Sequence, residues 1–268
     1  MKALTHYRKQ LAERGLREII EGRWHRRKLT FQIDNWAVGR LVELFGNKVT
    51  IDGVTLLLDN PDILTKHKSA LYFGIYEVAE RNLCRRYLDP SVPLIEIGGS
   101  IGGVSCITNR MLNNRRRHVV VECNPTNSPT LTRNRDFNRC EFSIEPFALA
   151  YTTERIEFNV VPGGWLVGNV AGFEGNKISV PTITLRDIVR KYKFDTFCLI
   201  SDSEGAEVDM VENEAELIKR HVKYLIVETH VKLRGQTATI RMLDRLKEIG
   251  FEINQKEKQV YAMTNCRL

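Results

Sequence analysis

The run Ile95-Glu96-Ile97-Gly98-Gly99-Ser100-Ile101-Gly102-Gly103 constrains this chain more than any other segment. It reads as a short buried strand, a glycine-rich turn and the start of a helix. Glycine lets the backbone take positive φ and approach a ligand closely. The helix start then offers unpaired N–H groups. The dinucleotide pattern Gly-x-Gly-x-x-Gly fails in both frames, because Ser100 or Ile101 stands where the second glycine belongs. No Gly-Lys-Ser/Thr follows, which excludes a P-loop. What remains is acid-x-Gly-x-x-x-Gly, and an acid at the strand end suits a ligand with an ammonium group, which a pyrophosphate lacks.

A second strand ends in Val119-Val-Val-Glu122-Cys123-Asn124-Pro125, with its carboxylate 20 residues beyond Gly102. A carboxylate there can accept both hydroxyls of a ribose. Two acids and a glycine loop fit a nucleoside with an amino-acid tail and no phosphates, which describes S-adenosylmethionine. An ordinary strand–turn–helix connection with two exposed acids is the competing reading.

The surrounding pattern supports a layered α/β fold. Apolar runs at 94–97, 119–121, 196–200 and 224–227 alternate with helical patterns at 75–88, 101–113, 127–138, 184–192, 206–220 and 237–249. Such alternation predicts a mostly parallel sheet covered on both faces. Further strands are expected at 141–148 and 155–161, a terminal hairpin at 251–263, and a long glycine-rich loop or hairpin at 162–180 carrying Trp165 and Phe173. Residues 1–70 form an expected N-terminal extension ahead of a main domain at 71–268. Within it, Asp52-Gly53 between two β-prone runs signals a hairpin. Leu4, Tyr7, Leu11, Leu16, Ile19, Ile20 and Trp24 fall at helical spacing.

The chain has 268 residues and a formal net charge of +7. Residues 1–28 carry nine basic side chains against three acidic ones, so nearly all the excess lies there. Docking on the body or on a second subunit, as a homodimer contact through residues 1–70, is the plainest use of that stripe. Peripheral contact with an anionic membrane is the alternative, and nucleic acid is disfavoured because no aromatic-basic motif accompanies the charge. No apolar run approaches the roughly 18 residues of a membrane span, and no signal-peptide core is seen, so a cytoplasmic location is expected. The six cysteines are scattered without a CxxC pair, which fits reduced structural thiols.

The later strand ends are also polar. Asp202 and Glu204 follow the strand at 196–200, and Glu228 and His230 follow the strand at 224–227. Ligands of open α/β sheets bind outside the carboxyl ends of the strands, so four ionisable groups are expected at one rim. Glu204 capping the next helix is a competing use, as is His230 as a plain surface histidine.

These segments resemble the FkbM family of S-adenosylmethionine-dependent methyltransferases. The resemblance runs from about Tyr76-Glu77 to about residue 230. It rests on Ile95–Gly103, on Val121-Glu-Cys-Asn-Pro125 with Leu131-Thr-Arg-Asn134, on Val180-Pro-Thr-Ile-Thr-Leu185, and on Asp202-Ser-Glu-Gly-Ala-Glu207 with Glu228-Thr-His230. It implies a class I methyltransferase fold, Rossmann-like, that methylates a hydroxyl of a sugar, glycolipid or polyketide. By position, Glu96, Gly98 and Gly102 would line the methionine end of the cofactor, with Gly99 and Ser100 in the same loop. Glu122 would hold the ribose beside Cys123 and Asn124, and Phe147-Ala148 would border the adenine. Asp202 would contact the cofactor or orient His230, the expected general base. Asp202, Glu228 and His230 are also candidate ligands for a divalent metal. Two departures stand out: Ile200-Ser201-Asp202 stands where the family commonly has Lys-Ile-Asp, so the usual Lys is lost, and Arg186 follows Leu185 where Asp is usual, with Asp187 one place on. They keep a non-catalytic cofactor-binding module in view, and a nucleic-acid methyltransferase using the basic stripe is the third reading.

Overall fold

The computed structural model describes residues 34–160 and 176–268. The basic stripe at 4–24 and the aromatic residues Trp165 and Phe173 lie outside the described residues. The chain groups into two compact units, Met1–Asn47 with Leu64–Tyr76 and Lys48–Ile63 with Glu77–Leu268.

In the smaller unit, helix α1 (Trp36–Leu44) starts at Asn35, whose side chain accepts a hydrogen bond from the Val38 N–H. A single 3-10 turn leads into α2 (Lys68–Tyr72). The buried Lys68 ammonium donates to Glu43 and to Asn47, at 2.8 Å each. The Lys68 hydrogen bond, with that from Thr65, holds the Glu43 carboxyl down at about 2.

The larger unit begins with the hairpin β1 (Lys48–Ile51) and β2 (Val54–Leu57). Asp52 (φ 53°) and Gly53 (φ 79°) both take left-handed backbone, as a tight hairpin turn requires. Then follow α3 (Val78–Tyr87), β3 (Leu94–Ile97), α4 (Gly103–Met111), β4 (His118–Val121), α5 (Ser128–Phe137), β5 (Ser143–Glu145), β6 (Ala148–Leu149), β7 (Arg155–Val160) and β8 (Asn176–Ile183). The chain continues through α6 (Leu185–Tyr192), β9 (Phe197–Ser201), α7 (Ala206–His221), β10 (Val222–Glu228), α8 (Val231–Arg234), α9 (Gln236–Glu248), β11 (Phe251–Glu257) and β12 (Val260–Asn265). The hairpin joins this unit through its edge. Asn134 accepts from the Leu57 N–H at 2.7 Å, and Asn138 accepts from the Thr55 N–H at 3.0 Å and donates back to the Thr55 carbonyl at 2.8 Å. Side-chain amides thus occupy the open edge of β2, which would otherwise expose unpaired backbone.

Seven strands form the main sheet in the order β11-β12-β10-β9-β3-β4-β5. The five strands from β10 to β5 are mutually parallel, and β12 runs antiparallel to both of its neighbours. The chain moves outward from β3 to β4 and β5, then returns to lay β9 on the other side of β3. That reversal makes a crevice at the carboxyl ends of β3 and β9. This is the mostly parallel, helix-covered sheet that the strand–helix alternation predicts, and the Rossmann-like class I methyltransferase arrangement that the resemblance implies.

Every residue of β3, β4 and β9 is buried, because helices cover both faces. Ile95, Ile97, Val119, Val121 and Leu199 pack on one face with residues of α7 and α9. Leu94, Cys198 and Ile200 pack on the other with Ala79 and Leu83 of α3 and Val104 of α4. The glycine-rich stretch ends earlier than its composition suggests, since Asn176 to Val180 belong to β8, which pairs antiparallel with β7. Among the described residues, no helix is long and apolar enough to cross a membrane.

Candidate active site

The parallel strands bring four polar ends to one edge: Gly98 after β3, Glu122 after β4, Asp202 after β9, and Glu228 with His230 at the end of β10. β9 stops at Ser201, so Asp202 and Glu204 lie beyond the strand. They sit in the turn that opens α7.

The glycine loop is tight on its protein side. Gly98 takes φ 92°, and a Cβ there would lie 1.8 Å from the Asp202 carbonyl oxygen. The Asp202 N–H donates to the Ile97 carbonyl at 2.9 Å, which locks the two strand ends together. At Gly99 a Cβ would meet Val120 Cγ1 at 2.3 Å. Ser100, also in left-handed backbone, gives its N–H to Glu122 Oε2 at 2.6 Å. Glu122 Oε1 accepts from the Asn124 N–H at 2.7 Å. Glu122 is thereby fixed beside the loop. Burial pushes its carboxyl up to about 7 despite the hydrogen bonds from Asn124, Ser100 and Asn127. A carboxylate has about four acceptor sites, so beyond these three donors Glu122 can still take a hydroxyl of a diol. The residues present therefore fit the ribose of S-adenosylmethionine.

Glu96 does not share this edge. It is 2% exposed and turned to the α4 face, where Ser105 Oγ donates to it at 2.6 Å and His118 Nε2 lies 3.3 Å away. Strand alternation puts it opposite Ile95 and Ile97, so it is spent inside the protein. Cys123 is partly buried, with its thiol pushed up by burial. Phe147 packs against the main core, and Ala148 is buried with Val180 in a small cluster of its own.

The acidic rim closes around His230. Its Nε2 lies 3.3 Å from Asp202 Oδ1 and 3.4 Å from Glu204 Oε2, and its Nδ1 lies 3.4 Å from Glu207 Oε1. Glu207, which the sequence did not single out, is the structural anchor of this group. It is 1% exposed and accepts from the Ser203 N–H at 2.5 Å and the Gly205 N–H at 2.9 Å. Glu207 thus caps the start of α7. Glu204, held in left-handed backbone at φ 51°, is left to face His230. Glu80 of α3 is the second residue sequence reasoning missed. Its side chain is in hydrogen-bonding contact with Glu228, and burial raises both carboxyls, that of Glu228 to about 8. Burial also raises Glu204 to about 7 against the pull of His230. For His230, burial opposes the charged ring, but contacts with Asp202 and Glu207 outweigh it and lift the imidazole to about 11. Its ring is therefore charged at neutral pH in the metal-free protein. The signal for Glu207 was present, since it ends the Asp202–Glu207 segment; Glu80 carries none, being one acid on a helix more than a hundred residues away.

Both departures from the family pattern acquire a place. Asp187 forms a capping box with Thr184 at the start of α6, so that acid serves the helix. The Arg186 N–H donates to Glu214 of α7. Ile200, where Lys is usual, is buried in the core with Leu94 and Cys198.

No curated protein matches the sequence. Similar solved structures include a protein of the NADB-Rossmann superfamily from Streptococcus agalactiae, 13% identical over 69% of this chain and 66% of that one, with a TM-score of 0.39. Fibrillarin from Aeropyrum pernix, in complex with natively bound S-adenosyl-L-methionine, is 13% identical over 66% of each chain, with a TM-score of 0.39. Cofactor-bound Rv0187 from MTB is 14% identical over 70% of this chain and 78% of that one, with a TM-score of 0.43. The chain spans about two thirds of the first two. The fold rests on the strand order itself rather than on these distant likenesses. The methyltransferase FkbM domain matches residues 96–253, more than half of the chain and all of the strand ends described above. The chain belongs to the FkbM methyltransferase family, and its cofactor is S-adenosyl-L-methionine.

Proposed function

We propose that the protein is an O-methyltransferase acting on a hydroxyl of a sugar or glycolipid. One observation carries the reading: Asp202, Glu204, Glu228 and His230 converge beside the glycine loop, and Asp202 belongs to both groups. When bound, S-adenosylmethionine supplies a methyl group on a positively charged sulfur, already activated for transfer. The protein then has two tasks, holding the acceptor oxygen in line and taking its proton. An ionised carboxylate accepts hydrogen bonds and a protonated one also donates, so this rim suits an acceptor with several hydroxyls, which do both. Glu122 would hold the ribose hydroxyls, and the loop Gly98–Gly102 would border the cofactor's tail.

The proton acceptor is better assigned to Glu204 than to His230. A base works best with its pKa near the working pH. Burial puts Glu204 at about 7, whereas His230 sits at about 11 and already holds its proton. With no ion bound, His230 is the counter-charge that Asp202 and Glu204 face. The test is transfer of labelled methyl from S-adenosylmethionine to a panel of sugars and glycolipids, with wild type and Glu204→Gln compared. The reading expects labelled ether product and a loss of kcat of about a hundredfold in the variant. Cofactor binding without transfer to any hydroxylated acceptor would replace it with the binding-module reading.

A further inference from the structure

We propose that Asp202, Glu228 and His230 form a divalent-cation site, of the Mg2+ or Mn2+ kind, whose open positions take the acceptor's hydroxyl oxygen. This rests on the O-methyltransferase reading for the role of the ion, though not for its binding.

One ligand atom from each of these three residues lies within 4.8 Å of the others. Adjacent ligands of an octahedral ion with bonds of about 2.1 Å stand about 3 Å apart, and opposite ones about 4 Å. His230 Nε2 and Asp202 Oδ1, 3.3 Å apart, stand at the spacing of adjacent ligands, and the Glu228 ligand atom lies within 4.8 Å of those of both. Glu204 Oε2 is 3.4 Å from the same Nε2.

The far side of the ring supplies an independent sign. His230 Nδ1 is buried and faces Glu207 Oε1 at 3.4 Å, and that carboxylate is held in place by the backbone at the start of α7. A carboxylate behind a metal-ligating histidine orients the ring and strengthens it as a donor. Glu207 is therefore a positioning residue, and Nε2 is the ligating atom. Charge balance agrees. Asp202, Glu204, Glu207, Glu228 and Glu80 face a single imidazole, with Lys258 acting on Glu80 from the β11–β12 turn. Two carboxylates and one imidazole favour a hard ion that tolerates nitrogen, for which Mn2+ is the natural probe. An ion there would lower the pKa of a bound hydroxyl, next to the loop that borders the cofactor.

The test is a titration of the metal-free full chain with Mn2+, read by the loss of the free-ion paramagnetic resonance signal. Wild type is expected to bind one ion that Mg2+ displaces. Asp202→Asn and Glu228→Gln are each expected to bind at least tenfold more weakly, and Asp244→Asn, an exposed acid of α9, to bind as wild type does. Thermal melts establish that each variant folds. A second readout needs no variant: substoichiometric Mn2+ should broaden the His230 ring resonances before those of His221. Absent Mn2+ binding, or binding indifferent to both substitutions, overturns the site. Calorimetry with S-adenosylhomocysteine separates the two claims. Cofactor binding without Mn2+ binding defeats the metal alone, whereas Mn2+ binding without cofactor binding supports the metal and defeats the methyltransferase reading.

Discussion

Replacing Gly98 by alanine tests the geometry that joins the cofactor loop to the catalytic rim. Two costs are expected. Alanine at φ 92° carries the left-handed penalty, about 1–2 kcal/mol. Its Cβ would also lie 1.8 Å from the Asp202 carbonyl oxygen, a backbone atom tied to β3 by the Asp202–Ile97 hydrogen bond. Relieving that overlap costs a further 1–3 kcal/mol or so, the usual range for overpacking. Gly53 offers the control, because it has φ 79° and a Cβ added there would meet only the far end of Arg110, at 4.0 Å. Gly53→Ala should therefore show the backbone penalty alone. At about 2–4 °C per kcal/mol for a protein of this size, Gly98→Ala should melt roughly 2–12 °C below Gly53→Ala. The assay is thermal unfolding followed by circular dichroism, with S-adenosylhomocysteine affinity measured beside it. Equal melting temperatures for the two variants would refute the close approach of Gly98 to Asp202.

Other consequences follow from the same contacts. Asn134→Ala removes an amide that accepts from the Leu57 N–H and donates to the Ile101 carbonyl at 2.8 Å; with two backbone groups orphaned at about 1–3 kcal/mol each, urea unfolding should show a loss of about 2–4 kcal/mol, and a loss under about 0.5 kcal/mol would sink the assignment. Glu96→Gln should leave S-adenosylhomocysteine affinity within about threefold while Glu122→Gln weakens it tenfold or more, and calorimetry giving the reverse order would return Glu96 to the ligand. The pH dependence has a definite sign in metal-free protein. Glu122 and Glu204 are raised to about 7, Glu228 to about 8 and His230 to about 11, so between pH 5 and 9 the folded state holds more protons than the unfolded state. Stability should then fall as pH rises through that window, and a urea midpoint that climbs with pH would contradict the burial of these groups.

The layered fold was legible because its strands are short apolar runs set between helical patterns, and β3, β4, β9 and β10 appear within two residues of their expected places. The hairpin's allegiance was not legible. It depends on Asn134 and Asn138 reaching the β2 backbone from 77 and 83 residues away. Glu96 was misplaced for a related reason. In a strand buried on both faces, no alternation of polar and apolar residues reveals which side an acid takes. The rim residues Asp202, Glu204, Glu228 and His230 were readable as strand ends, because parallel strands must deliver their carboxyl ends to one edge. How they divide their work was not readable. The capping of α7 by Glu207 frees Glu204, and the same carboxylate shifts His230 away from the pKa of a base.

The central claim is that the Gly98–Gly102 loop and Glu122 bind S-adenosylmethionine beside a rim that transfers its methyl group. Calorimetric titration of S-adenosylhomocysteine into the full chain tests it most directly. Binding at micromolar affinity, weakened at least tenfold by Glu122→Gln and unanswered by NAD, is the predicted result. No heat at millimolar ligand with the protein folded, or binding indifferent to Glu122, would contradict it.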